Sequence, residues 1–170
     1  MTQSHATACR TALIFGLGES TCALPTSHVR EVTALPVLDL PPGMPPVIEG
    51  FFSRAGVVVP VLRSEALFGV QPFARTLYTP LILVGDDEDL FALVVKGVEN
   101  VVDLDPSALT RDSGDEQALN GCVDGQVFLN GRMVHVLSPG RLMAAQERQR
   151  LAELTALAGA RAELWEAPTP

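Results

Sequence analysis

A nucleophilic centre needs a cysteine or hydroxyl beside a base that a third group orients. The chain offers Cys9, Cys22 and Cys122, and His5, His28 and His135. Their spacing assembles no such trio. His5 falls in a polar N-terminal stretch, His28 at the end of a segment and His135 inside an apolar run. Gly16-Leu17-Gly18 follows a strand-like stretch, as phosphate-binding glycines do. However, Thr21 stands where the dinucleotide fingerprint needs its last glycine, and no helix opens there. Asp86, Asp87 and Asp89 gather carboxylates without the glycine and closing glutamate of a calcium loop. The cysteines form no Cys-x-x-Cys pair, so neither a zinc site nor a disulfide framework is indicated. The residues read as carrying no catalytic group, no metal site and no cofactor, and the protein is not expected to be an enzyme.

Composition narrows the alternatives. Of 170 residues, 12 are basic and 20 acidic, for a net charge of −8, and Lys96 is the only lysine. A nucleic-acid surface needs clustered cations to displace phosphate counterions, and none is present. The acids concentrate at Asp86–Asp89 and between Glu99 and Glu116 and read as solvated surface. Apolar residues make up 47%, enough for a packed core. No apolar run nears the ~18 residues of a membrane helix, and MTQSHATACR lacks the basic and apolar regions of a secretory signal. A cytoplasmic protein with reduced thiols is expected.

The elements that would position any site are mostly strands. The chain opens with a tail over 1–9. Thr11–Leu17 and a strand from Cys22 read as a hairpin, and Val29, Val32 and Leu35 continue the apolar pattern. Beside any role in binding, Val29 and Val32 read as core residues of a strand and Glu31 as solvated. Pro41, Pro42, Pro45 and Pro46 make a rigid extended loop that delivers the chain to Gly50. Val57–Leu62 is apolar and largely β-branched, a buried strand. Pro60 within it implies an edge position or a bulge. Leu77–Val84 and Leu90–Val95 flank an acidic turn. Asp105–Glu116 reads as loop with a helical turn. Val123–Leu129 and Arg132–Leu137 flank Asn130-Gly131, whose tolerance of positive φ predicts a type I′ hairpin. Ser138 and Pro139 then suit the start of an amphipathic helix over 139–159, followed by a tail over 160–170.

Two of these blocks are copies. Ala23–Val32 (ALPTSHVREV) overlays Ala92–Val101 (ALVVKGVENV) without gaps, and Gly56–Leu67 (GVVVPVLRSEAL) overlays Gly131–Leu142 (GRMVHVLSPGRL). Val59/Val134, Val61/Val136, Leu62/Leu137 and Leu67/Leu142 coincide, and His135 takes the place of Pro60. Gly50 is matched to Gly121, with a longer second hairpin. The duplication predicts a tandem of two small β-barrels of five strands each.

Taken in order, Ala23-Leu24-Pro25, Val29-Arg30-Glu31-Val32, the proline loop, Gly50, Val58-Val59-Pro60-Val61-Leu62, Phe91–Val95 with Val98, and Leu119–Leu142 resemble the CheW-like domain of bacterial chemotaxis. The resemblance spans 10–145, with halves at roughly 10–75 and 76–145 between which strands are open to exchange. It implies a mainly β fold of two pseudo-symmetric five-stranded SH3-like barrels. It also implies a non-catalytic adaptor that docks the regulatory domain of a CheA-like histidine kinase and the cytoplasmic tip of a chemoreceptor, in the cytoplasm at receptor arrays. Val29, Glu31, Gly50, Arg54, Ala55 and Gly56 correspond to its partner-binding region, and Phe52 flanks Arg54. The chain departs from the family at several places. Ser53-Arg54-Ala55-Gly56 stands for Asn-Leu-Arg-Gly, Arg63-Ser64-Glu65 for Asp-Leu-Arg, and Lys96 for an aspartate. These reversals favour, as a second reading, an accessory family member with its own partners in a non-flagellar system such as surface motility. A small-molecule-binding or enzymatic barrel is a third reading, for which no catalytic constellation is seen.

Overall fold

The structure is a computed structural model that describes residues 11–86, 88–111 and 118–142, and 155, 157 and 159–161 beyond them. Ten strands dominate: β1 (Thr11–Leu17), β2 (Ser20–Pro25), β3 (Val29–Ala34), β4 (Ile48–Arg54), β5 (Val57–Arg63), β6 (Pro80–Val84), β7 (Phe91–Val94), β8 (Gly97–Asp103), β9 (Val123–Leu129) and β10 (Arg132–Leu137). One short helix, α1 (Ser64–Phe68), follows β5. The N-terminal tail, the body of the 139–159 helix and nearly all of the 160–170 tail lie outside the described residues. Pro139–Arg141 form a turn on the Ser138 carbonyl, and the described residues from Thr155 to Arg161 are helical, past Gly159.

The strands form two five-stranded sheets, ordered β8-β1-β2-β10-β9 and β3-β6-β7-β5-β4. In each, the third and fourth strands pair in parallel and the other neighbours pair antiparallel. The orders superpose when β1–β5 is matched to β6–β10, so the duplication is real at the level of topology. The sheets nevertheless cut across the halves at 10–75 and 76–145. Each takes its two-strand hairpin from one half and its other three strands from the other.

The register is repeated too. Val61 lies opposite Ala92, and its counterpart Val136 lies opposite Ala23. One sequence match needs correction: the partner of Gly50 is Gly125, not Gly121. A bulge falls before Gly50 where Ile48 faces Leu62, and the same bulge precedes Gly125 where Val123 faces Leu137. Next in each strand, Phe51 bridges Asp39 and Gln126 bridges Thr110, so each sheet's last strand meets chain returning from its first. The two hairpins are equally long, with turns Ala55-Gly56 and Asn130-Gly131 between paired residues Arg54/Val57 and Leu129/Arg132.

Pro60 sits in an inner strand, not at an edge. The β5–β7 ladder begins only at Val61, and Phe51, opposite Pro60, directs its N–H and C=O to Asp39 instead. No ladder bond needs the missing donor. β6 starts at Pro80 rather than Leu77, because residues 77–78 form a turn.

Three clusters make the core. One lines the inner face of the first sheet (Ile14, Val127, Val134, Val136), and its equivalent lines the second (Val59, Val61, Leu83, Val94). The largest lies between the sheets and joins Leu13, Phe15, Leu24, Leu62, Leu67, Ile82, Leu93, Leu137 and Leu142. Alternation along each strand supplies both faces, which explains why these strands are apolar on consecutive positions.

Candidate partner-binding site

The residues singled out by resemblance divide into two groups. Glu31 and Arg54 come together: Arg54 Nη2 donates to Glu31 Oε2 and ties β3 to β4, the two outermost strands of the second sheet. Both side chains stay partly exposed. A bulge at Arg30 shifts the register, so Val29 pairs with Val84 and Glu31 with the adjacent Leu83 on the other side of the sheet, and Val29 packs against the central cluster. Val32, on this edge strand, is 41% exposed, which corrects its expected place in the core. Ala55 and Gly56 form the exposed tip of the β4–β5 hairpin, with φ of +49° and +80°. Gly50 is different. It is buried, and a Cβ there would lie 2.7 Å from Leu38 Cβ and 3.0 Å from Asp39 O. The close approach of that backbone requires a residue without a side chain here.

The reversed charges find partners inside the chain. Arg63 Nε donates to Glu49 Oε2 at 2.9 Å. Arg75 donates to both oxygens of Glu49, at 3.2 and 3.0 Å, and to Glu65 Oε2 at 2.9 Å. Its Nη1 also donates to Phe73 O at 3.0 Å, and its guanidinium lies 4.4 Å from the Phe73 ring centroid. Two guanidiniums and two carboxylates therefore form one neutral network. It holds the 69–79 loop against the β4 bulge and α1. Burial raises the Glu65 carboxyl, but hydrogen bonds from Arg75 and its own backbone, with the charges of Arg75 and Arg63, outweigh it and leave the group below the usual range. Lys96, by contrast, is exposed and makes no ion pair among the described residues.

Glu49 and Arg75 were not singled out from the sequence. The bulge places Glu49 beside Arg63, and a bulge has no signature in composition. Its counterpart Asp124, also acidic and also before a glycine, was the one available signal.

The structure also brings together a pair that sequence spacing did not suggest. Cys22 and His135 are register partners across the parallel β2–β10 pair. Burial pushes the Cys22 thiol up to about 12, so it stays protonated at neutral pH and is no nucleophile. His135 Nδ1 is buried and has no hydrogen-bond partner among the described residues. Among the described residues no His, Cys, Asp and Glu side chains group as a metal site, and no helix is long and apolar enough to cross a membrane.

The family model of the CheW-like domain matches residues 11–147. The chain belongs to the CheW-like family. This is a family of chemotaxis signal-transduction adaptors and scaffolds, generally non-catalytic. Among solved structures, the chain is similar to the scaffolding protein TtCheW from Thermoanaerobacter tengcongensis, with a TM-score of 0.69 and 21% identity over 76% of this chain and 88% of that one. At that identity the likeness speaks for the fold. Comparison with curated proteins found no match. Within the CheW-like fold, Glu31, Arg54, Ala55 and Gly56 mark one end of the second sheet, and the Glu49–Arg63–Glu65–Arg75 network marks the other.

Proposed function

We propose that this chain couples a CheA-like histidine kinase to chemoreceptors, docking the kinase regulatory domain and the receptor's cytoplasmic tip, and that it works in the cytoplasm at receptor arrays. The family match over 11–147 carries the reading. The half-exposed Glu31–Arg54 pair beside the Ala55-Gly56 tip supports it, because a charged pair next to an exposed turn offers a partner both charge and shape. Val29 contributes by setting the course of β3, and Gly50 by letting the 38–39 segment close over β4.

The test is binding of purified protein to a kinase regulatory domain and, separately, to a receptor tip fragment. Micromolar or tighter affinity for both supports coupling. Failure to bind either one excludes coupling for that pair.

A second reading has its own observation. Arg63 and Glu65, where the family carries opposite charges, are engaged by Glu49 and Arg75, and Lys96 alone of the reversed positions stays open to a partner. This supports an accessory adaptor of a non-flagellar system with altered partners. Binding to that system's kinase and not to a flagellar one would decide for it.

A further inference from the structure

The parallel pair β2–β10 sends Val134, Val136 and Ala23 to the inner cluster of the first sheet. Alternation therefore sends Met133, His135 and Cys22 to the other face, where Cys22 joins the cluster between the sheets. A thiol, an imidazole and a thioether thus line one stretch of that face. It runs from the buried Cys22, through its register partner His135, to Met133 at 44% exposure. The buried Nδ1 of His135 is bonded neither to Cys22 nor to its other cross-strand neighbour, Gln126. Leaving a buried ring nitrogen unpaired is costly, and one that persists points to an ion or a water that pairs it. Packing does not demand these donors. In the second half, Val58, Pro60 and Phe91 hold the places of Met133, His135 and Cys22, so the equivalent strand pair β5–β7 is built with apolar side chains there.

The donor set selects the ion. No third His, Cys, Asp or Glu joins Cys22 and His135 among the described residues. Zinc takes three or four such ligands, and calcium and magnesium take oxygens, so none of these fits. Thiolate, imidazole and thioether suit a soft cation of low coordination number, and Cu(I) is that cation. The spacing agrees. Adjacent strands lie about 4.8 Å apart, and a metal held between one sulfur and one nitrogen spans about 4.3 Å. Met133, unbranched and outermost, closes the set from the solvent side and gives the ion a way in.

We propose that Cys22 Sγ and His135 Nδ1 bind one Cu(I) ion, with Met133 Sδ as a third ligand. On binding, the Cys22 thiol gives its proton to solvent and the thiolate pair goes to the metal, with no change of oxidation state. The ion clamps β2, from the first half, to β10, from the second. The site stands independently of the adaptor reading.

The experiment titrates the full chain with Cu(I), without oxygen, against a coloured Cu(I) chelator. The chain carries Cys9→Ser, so that the N-terminal thiol does not compete. One Cu(I) per chain is expected, with thiolate-to-copper absorbance in the ultraviolet and a rise in melting temperature. X-ray absorption of the loaded chain is expected to show sulfur and one imidazole nitrogen on the metal. Cys22→Ser and His135→Gln are each expected to weaken binding by about 100-fold or more, and Met133→Leu by about tenfold. Cys122→Ser, whose thiol donates to Arg141 O, is expected to leave binding unchanged. Undiminished binding in His135→Gln, sulfur scattering without imidazole, or loss of copper in Cys122→Ser overturns the proposal. So does Zn(II) held as tightly as Cu(I), or a chain that leaves all Cu(I) to the chelator. The absorption spectrum is taken with Cys22, His135 and Met133 intact, so it decides even where a variant fails to fold.

Discussion

Arg75 Nη2 lies 3.0 Å from Glu49 Oε2, joining a loop to a strand 26 positions earlier. The same guanidinium also holds Glu65. Arg75→Ala would leave the largely buried Glu65 carboxylate without its hydrogen-bonding guanidinium and Glu49 with Arg63 alone. It is expected to lower stability by about 1.5–3 kcal/mol and to open the 69–79 loop to proteolysis, read by denaturant melts and limited digestion. Arg75→Lys is expected to recover only part, because an ammonium cannot serve two carboxylates with a planar fork. A loop as resistant in Arg75→Ala as in wild type would show that the network does not hold it.

The same network sets an acid limit. The folded-state carboxyl of Glu65 is depressed relative to its ordinary value of 4.5. Its stabilising contribution is therefore complete above about pH 4.5 and is lost as pH falls through the lower folded value. Wild type is expected to lose stability steeply below pH 4.5. Glu65→Gln should start less stable at pH 7 and show a shallower acid slope. Parallel slopes would remove Glu65 from the acid transition.

Gly50 and Gly125 are equivalent positions with unequal tolerance. A Cβ meets a backbone oxygen at both, Asp39 O at 3.0 Å from Gly50 and Thr110 O at 3.1 Å from Gly125, but the nearest contact at Gly50 is Leu38 Cβ at 2.7 Å, fixed to the backbone, whereas at Gly125 it is Leu109 Cγ at 2.8 Å, further out on a flexible side chain. Gly50→Ala is expected to destabilise by about 1–3 kcal/mol, and Gly125→Ala by less. Thermal melts of both variants would check the order.

Ala55 at φ +49° occupies the place that Asn130 holds at φ +50° in the other half. An alanine is strained there, and an asparagine is not. Ala55→Asn is expected to raise stability by about 0.5–1 kcal/mol, and Asn130→Ala to lower it comparably. A fall in melting temperature for Ala55→Asn would count against strain at this turn.

Arg54 and Glu31 are each about 40% exposed, so their ion pair adds little to folding. Arg54→Ala is expected to change stability by less than about 1 kcal/mol while weakening binding to the kinase domain or the receptor tip. Unchanged affinity for both would remove Arg54 from the interface.

The repeated strands were legible because Val59, Val61 and Leu62 and their counterparts Val134, Val136 and Leu137 carry packing demands that survive divergence. The match of Gly50 to Gly121 failed for the opposite reason. A glycine alone carries no register, and only the bulges at Glu49 and Asp124 show that the hairpins are equally long. Val32, read as core, is 41% exposed, because β3 is an edge strand of its sheet, and edge position has no signature in a run of valines. Within the candidate site, Glu31 and Arg54 were visible by resemblance, but their pairing was not, since it spans 23 positions and follows from how β3 and β4 bound one sheet. Arg75 lay in a loop without pattern, and only the fold reveals its two carboxylates.

The exchange of hairpins between the halves has a consequence during synthesis. All strands of the second sheet have been synthesised once Val94 is added, but the first sheet waits for β10, which ends at Leu137. The hairpin from Thr11 to Pro25, made first, is the last to gain all its neighbours. Until then Leu13, Phe15 and Leu24 have only part of their eventual cover. The nascent chain is most open to aggregation in that interval, so destabilising changes in β8–β10 should reduce soluble yield more than equal losses placed in β3–β7.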